Sequence, residues 1–341
     1  MTVNHDDDLK TQIAALLGAG TLKIERLPTS GNNRLYLIDA GKEKFVAKHY
    51  FTHAGDKRNR LVAEYSFISF ASRNGIDCLP RPVAKDEKND LAIYSFIDGR
   101  RPELPDVTPS TVARALDFLK TLNAYRETAV DDISNASEAC FSIDAHLQLV
   151  EQRVNRLLAV TDAHAHIFIN NELVPSWEKT KATILTEASA KGLRTGENLP
   201  PCDRIISPSD FGFHNVLVGN DGKIYFLDFE YAGWDDPAKT VGDFFSHLAL
   251  PVPAEYLGIF AKRAAGLTSD PDATLLRIGL LLRLYRIKWC CIALNHFIPV
   301  DSDRRRFAGN RVSRTKEEQI VKARRLMGSM ETLNGAAHGL Y

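Results

Sequence analysis

The stretch Ser207-Pro208-Ser209-Asp210-Phe211-Gly212-Phe213-His214-Asn215-Val216-Leu217-Val218, continued by Lys223-Ile224-Tyr225-Phe226-Leu227-Asp228-Phe229-Glu230-Tyr231, decides how the chain reads. Its two apolar runs, Val216 to Val218 and Ile224 to Leu227, are rich in β-branched and aromatic residues. Asn220-Asp221-Gly222 between them is a strong hairpin turn signal. The pattern predicts loop, strand, tight turn, strand, loop, with Asp210, Asn215 and Asp228 at the strand ends. A hairpin brings its outer ends together, so these three side chains are expected to gather in one small volume. Two carboxylates and an amide oxygen are hard-oxygen ligands of the kind a magnesium–nucleotide site needs.

The rest of the composition sets bounds on class. The chain has 341 residues, enough for one large or two medium domains, with 44% hydrophobic and 25% charged residues. Lys+Arg balance Asp+Glu at 43 each, which gives no global reason to expect a nucleic-acid or membrane partner. No run of about 18 apolar residues is present, and Met1 to Lys10 is polar and acidic rather than signal-like. The five cysteines (Cys78, Cys140, Cys202, Cys290 and Cys291) lack metal-type spacing and read as free thiols, which fits a cytoplasmic protein.

The spacing Asp210-x4-Asn215, followed by Asp228 on a strand, resembles the catalytic and metal loops of kinases with the protein-kinase-like fold. Leu227-Asp228-Phe229-Glu230-Tyr231 is similar to the aminoglycoside phosphotransferase and choline/ethanolamine kinase branch. Asp210-Phe211-Gly212 spells the protein-kinase metal motif, but it precedes the Asn; by position it is the catalytic loop, and Asp228 corresponds to the metal-binding Asp. The resemblance covers roughly residues 22–250 and implies an α+β bilobal fold. That fold has a small lobe with a five-stranded antiparallel sheet (residues 1–97) and a mainly helical large lobe (residues 98–341).

The chain order fits that expectation. An amphipathic helix is expected over 7–17, strands over 21–27, 34–39 and 44–50, a helix over 58–71, and strands over 81–84 and 91–96. The turn holding Ser30, Gly31 and Asn32 reads either as an ordinary hairpin or as the family's nucleotide-covering loop. Lys48 shares a strand face with Val46 and Tyr50, and a buried ammonium needs an anion, for which Glu64 is the candidate. The resemblance gives that Lys–Glu pair the role of holding phosphates. Ser95 to Ile97 is the expected hinge, with the backbone of Ser95 and Ile97 pairing the adenine edge. Helices are expected over 142–160, 175–190, from about 239, over 275–297 and over 317–333.

The resemblance implies an ATP-dependent, Mg2+-dependent phosphotransferase acting on a hydroxyl of a small molecule such as an aminoglycoside, amino-alcohol or sugar. Asp210 would accept the hydroxyl proton, while Asn215 and Asp228 would ligate the metal. A nucleotide-binding pseudokinase or scaffold, or a protein kinase, remains the alternative. Glu230 is expected to join the metal shell, face the substrate or stand as a solvated acid. Asp243 is expected to be buried, satisfied by backbone N–H groups, and to brace the catalytic loop. His214 is expected to stabilise the loop. Pro208 stands where the family has a His, and Ser209 where it often has Gly, Asn or Arg. For the acceptor, Tyr231, Trp234, Asp235 and Asp236 suggest a cationic compound, while Arg283, Arg286 and Lys288, followed by Arg304, Arg305, Arg306, Arg311 and Arg314, suggest an anionic one; for both groups a solvated surface is the plainer reading. Oligomeric state is not readable.

Overall fold

The computed structural model describes residues 5–18, 22–28, 33–52, 58–298, 316–337 and 339–340. In chain order the elements begin with α1 (His5–Leu17), β1 (Lys23–Leu27), β2 (Arg34–Asp39), β3 (Lys44–His49), α2 (Arg60–Arg73), β4 (Pro82–Asp86), β5 (Leu91–Ser95) and β6 (Gly99–Arg100). Then come α3 (Pro109–Ala124), α4 (Ile143–Leu157), α5 (Ala163–Phe168), α6 (Val174–Ala190), β7 (Ile205–Ser207), β8 (Val216–Gly219), β9 (Ile224–Phe226) and β10 (Gly233–Asp235). The chain closes with α7 (Pro237–Ser246), α8 (Leu257–Ala265), α9 (Pro271–Leu294), α10 (Lys316–Gly328) and α11 (Met330–Ala337). No helix among the described residues is long and apolar enough to cross a membrane.

The chain divides into two compact units. The first runs to Arg100 and takes in Leu217–Glu230. The expected boundary at residue 97 falls short because Gly99 and Arg100 pair antiparallel with Gly219 and Val218. The hairpin β8–β9 is therefore part of the N-terminal unit, not of the helical one as expected. Gly222, at φ +75°, makes its turn, a conformation that suits a residue without a Cβ. Five strands form one antiparallel sheet in the order β1-β2-β3-β5-β4. Helix α1 places Leu9 and Ile13 against Tyr36, Ile38, Ala47, Leu91 and Ile93, the apolar core on one face of this sheet. Strand alternation then puts Lys48 on the other face.

The second unit, residues 101–216, 231–299 and from 314 on, is mainly helical. Its helices start where the sequence supplies caps followed by proline at the first turn. Thr108 caps α3, Asp236 caps α7 and Asp270 caps α9, each ahead of a Pro whose missing N–H leaves no bond unmade. Helix α9 is buried on nearly all sides and packs against α7. Gly242 permits that approach, since a Cβ there would lie 2.3 Å from Cδ2 of Tyr285. The single helix expected over 317–333 is two, interrupted at Gly328-Ser329, where the Ser329 hydroxyl turns back onto the Leu326 carbonyl at 2.9 Å. Short elements without strong periodicity (β6, β10, α5 and α8) escape the sequence reading.

Candidate active site

In the N-terminal unit the central strand β3 delivers Lys48, whose backbone lies between Leu35 of β2 and Ala92 of β5. Its Nζ lies 2.6 Å from Glu64 Oε2 on α2, 2.5 Å from Asp228 Oδ1 and 3.8 Å from Glu230 Oε2. The ammonium is buried, which alone would lower its pKa. Asp228, Glu64 and Glu230 together outweigh that and hold it well above the ordinary lysine range. Lys48 is thus a fixed cation, not an edge lysine with its head in water. Glu64 is fully engaged: it accepts from Tyr50 Oη at 2.7 Å and from the backbone N–H of Phe229 at 3.2 Å. That second bond ties α2 to the residue after Asp228, and Phe67 stacked on Phe229 at 4.6 Å reinforces it.

Asp228 adopts φ +64°, a left-handed conformation uncommon outside glycine and asparagine, while 39% of its side chain stays accessible. Glu230 is different. Its side chain is buried, accepts from Asn33 Nδ2 at 2.5 Å and lies 3.9 Å from Arg60 Nε. It is neither a solvated acid nor open to a substrate, which corrects those two readings. Among the described residues the cluster brings three carboxylates, Glu64, Asp228 and Glu230, to two cations, Lys48 and Arg60. Ser30, Gly31 and Asn32 lie outside the described residues. Of the two hinge residues, Ser95 is committed elsewhere: its N–H donates to Arg81 O at 2.9 Å and its hydroxyl accepts from Arg81 N at 2.8 Å. Those bonds take up the Ser95 N–H and hydroxyl. Among the described residues no bond to the Ile97 N–H is present. A depression of about 650 Å³ beside this segment is lined by Asp77, Arg81, Phe96, Asp98, Asp221 and Tyr225, and none of Lys48, Glu64 or Asp228 reaches it.

In the helical unit the loop that carries Asp210 follows β7. Asn123 of α3 clamps that strand, accepting from Ile206 N at 2.8 Å and donating to Ile206 O at 3.0 Å. The loop then makes a γ-turn: Asp210 N–H donates to Pro208 O at 2.9 Å around Ser209, which sits at φ +64°. A non-glycine residue held there stores roughly 1–3 kcal/mol of strain, so the surroundings must fix it. They do so from α7. Ser209 N–H donates to Ser207 Oγ at 3.0 Å, Thr240 Oγ1 donates to the same oxygen at 2.8 Å, and Lys239 Nζ donates to Ser209 Oγ at 2.9 Å. Phe211 and Phe213 anchor the loop on the same helix by packing on Phe244 at 5.1 and 5.7 Å. With Pro208 in the place of the family His, side chains of α7 hold the turn.

Asp210 and Asn215 are brought together by that turn. Asn215 Nδ2 donates to the Asp210 carbonyl at 3.0 Å, which spends the amide NH2 and leaves the amide oxygen as the available donor atom. Asp210 keeps 29% of its side chain accessible. Burial pushes its carboxyl pKa up, but the His214 imidazole beside it, helped by Lys288, holds it well below the usual carboxylate range. His214 Nε2 lies 3.3 Å from Asp210 Oδ1, off the line of a hydrogen bond, and Arg101 fixes the His214 carbonyl at 2.7 Å. The His214 and His247 rings stack at 3.3 Å and 4°. Asp210, His214 and His247 come close enough to suggest a metal trio. The stacking argues against one: parallel rings hold their in-plane lone pairs parallel, so an ion shared by both would sit about half the 3.3 Å spacing out of each ring plane. Burial keeps His247 neutral, its pKa pushed down to about 3, and its Nδ1 accepts from Ala249 N–H at 3.1 Å.

One acceptor reading is corrected, and Arg304, Arg305, Arg306, Arg311 and Arg314 of the other lie outside the described residues. Asp235 and Asp236 form no patch, since both are fully buried. Asp235 accepts from Lys239 at 2.6 Å; Asp236 caps α7 and pairs with Arg277 at 2.6 Å and His146 at 3.0 Å. Asp243 is buried as expected, but its donors are side chains: Lys288 at 2.9 Å to both oxygens and Trp289 Nε1 at 2.8 Å. Lys239 Nζ lies 3.4 Å from Asp243 and 2.9 Å from Ser209 Oγ, so Lys239 links that carboxylate to the loop that carries Asp210. Lys239, Thr240, Asn123 and His247 were missed by the sequence reading. Asp236-Pro237 at a cap and Asp235 four residues before Lys239 are signals that could have found the first two.

Comparison with known proteins agrees with this fold. No curated protein sequence matches. The solved structures that resemble the chain include a choline/ethanolamine kinase family protein from Mesorhizobium loti, with TM-score 0.59, 16% identity, and 98% of this chain and 99% of that one covered. The choline kinase LicA from Streptococcus pneumoniae gives TM-score 0.60 at 13% identity, covering 97% and 100%. A spectinomycin phosphotransferase, solved with ADP and spectinomycin, gives TM-score 0.62 at 15% identity, covering 97% and 98%. At such identities these likenesses speak for the fold, which is the expected bilobal kinase-like one. The sequence itself matches the model of the phosphotransferase enzyme family over residues 23–275, a span that runs from β1 through the Lys48–Glu64 pair and both loops into α9. The chain therefore belongs to the phosphotransferase enzyme family.

Proposed function

We propose that the protein transfers the γ-phosphoryl group of ATP to a hydroxyl of a small molecule, with Mg2+ as the metal. The observation that carries this reading is the Lys48 ammonium held by both Glu64 and Asp228 at 2.6 and 2.5 Å. A cation so fixed suits the phosphates of a nucleotide and stays charged throughout the neutral range. Lys48 and Glu64 bind and orient the phosphates in this reading, with the backbone of Ile97 and the turn at Ser30, Gly31 and Asn32 meeting the rest of the nucleotide. Asp228 and Asn215 are the residues that would hold Mg2+. Both have an oxygen to give: Asp228 Oδ1 is taken by Lys48 while its side chain stays accessible, and the Asn215 amide spends its NH2 on Asp210. When bound, the ion neutralises charge on the phosphate oxygens.

Asp210 orients the acceptor hydroxyl and takes its proton. Because its pKa is held low, Asp210 works as an ionised hydrogen-bond acceptor that aims the oxygen, and the proton passes to it late, as the hydroxyl loses basicity in the loose transition state. The protein-kinase alternative is disfavoured by the brevity of residues 229–236, which pass from Asp228 straight into α7 and leave no room for a long activation segment. The test is ADP release by purified protein given Mg–ATP and a panel of sugars, amino-alcohols, hydroxy acids and aminoglycosides. Turnover with at least one acceptor class is expected. Tight ATP binding with no ADP released by any class would favour the scaffold reading.

A further inference from the structure

Glu230 stands two residues past Asp228, yet its surroundings are not those of a metal ligand. Its carboxylate is buried, with Oε2 3.8 Å from Lys48 Nζ and Oε1 3.9 Å from Arg60 Nε. A divalent ion bound there would meet an ammonium and a guanidinium at close range, and like charges repel strongly where water is excluded. Asp228, by contrast, keeps 39% of its side chain accessible. The group that Glu230 does bond is Asn33, which donates from Nδ2 to Oε2 at 2.5 Å across 197 positions of the chain.

Asn33 uses both ends of its amide. While Nδ2 donates to Glu230, Oδ1 accepts from the backbone N–H of Phe51 at 3.1 Å. The Phe51 carbonyl in turn accepts from Arg60 Nη1 at 2.6 Å, and Arg60 returns to Glu230. The four residues thus close a ring, and all of them are buried. Turning the Asn33 amide over would set its NH2 against the Phe51 N–H and its oxygen against a carboxylate, so the side chain has one orientation. What the ring joins is specific. Phe51 stands three residues past Lys48 and just beyond the end of β3, and Glu230 stands two residues past Asp228. Asn33 therefore bridges the strand that carries Lys48 to the segment that carries Asp228, beside the 2.5 Å contact of those two side chains. An anionic acceptor makes that bridge a charge-assisted hydrogen bond, the stronger kind.

We infer that Asn33 and Glu230 are positioning residues for the nucleotide site: through their bond they hold Lys48 and Asp228 in register, and Glu230 lies outside the metal shell. Both roles rest on the phosphotransferase reading given above, which assigns the metal to Asp228, and they add to it a pair that touches neither metal nor phosphate.

The experiment uses the full chain and three readouts: Mg–ATP binding by calorimetry, stability by urea denaturation, and Mn2+ affinity in the ADP complex by paramagnetic resonance. Asn33→Ala should weaken Mg–ATP binding on the order of tenfold, the loss expected for one charge-assisted hydrogen bond, and the same change made in Glu230→Ala should add less than about twofold. Glu230→Gln keeps an oxygen for the Asn33 amide, so it should bind Mg–ATP more tightly than Glu230→Ala. It should also hold Mn2+ within about threefold of the wild type, whereas Asp228→Asn, which alters a ligand, should lose about tenfold or more. Wild-type ATP affinity in folded Asn33→Ala, with the loss confined to urea stability, would make the ring structural only and overturn the inference. A Mn2+ loss in Glu230→Gln as large as in Asp228→Asn would overturn it as well, and that measurement decides even where the alanine variants do not fold. Either result leaves the phosphotransferase reading standing. A wild type that binds neither Mg–ATP nor Mg–ADP would sink that reading and the inference with it.

Discussion

The two units handle buried charge in opposite ways. In the N-terminal unit, Lys48 and Arg60 sit among Glu64, Asp228 and Glu230, and acids outnumber cations. Around α9 in the helical unit, the cations run one ahead, because Arg286 has no carboxylate beside it. The lesson is that a charged residue's role is read from what remains after its neighbours are paired. Asp235 and Asp236 look like a substrate patch in the sequence, yet both are spent inside the fold.

The comparison can be broken most strongly at the catalytic loop. Asp210→Ala should lower turnover by about 10²–10⁴ and change ATP affinity little. Unequal pairing predicts the next effect. Lys48→Met strands Glu64 against Asp228 and should destabilise the protein by about 3–5 kcal/mol in urea denaturation, besides weakening nucleotide binding. Lys239→Met removes the partner of Asp235 and the donor to Ser209 Oγ together, and a loss of similar size is expected, accompanied by a lower kcat. Thr240→Val frees only the Ser207 hydroxyl and should cost about 1 kcal/mol.

The smallest effect expected is that of pH on Asp210. Its folded pKa is depressed, so the stabilisation that comes with its ionisation is fully present above the unfolded value of about 4 and is lost as pH falls through the folded value. No acid limb from this residue should therefore show in kcat between pH 5 and 8. A limb that appears in the wild type and vanishes in Asp210→Asn would contradict the proposed state of the carboxylate.

Much of the first unit was legible because its signals are local. Period-2 strands, the Asn220-Asp221-Gly222 turn and an ammonium in an apolar strand each imply their own structure, and Lys48 implied Glu64 by charge alone. The second unit was less legible because its decisive contacts are long-range. Nothing near Arg286 in sequence shows that Asp236, Glu187 and Asp243 would go to Arg277, Arg283 and Lys288 instead. The brace that replaces the family His was hidden for the same reason. Ser209 reads as an ordinary loop serine until its φ of +64° and its bond to Lys239 are seen. Glu230 was misjudged because its partner, Asn33, stands 197 residues away.

The central claim is that the N-terminal unit holds the nucleotide and Asp210 in the helical unit performs the transfer. Calorimetric ATP titration and label transfer from γ-labelled ATP, run side by side on wild type and Asp210→Asn, test it most directly. The account predicts that the variant binds Mg–ATP as the wild type does and moves no label to the acceptor. Label transfer at the wild-type rate in Asp210→Asn, or loss of its ATP binding, would contradict it.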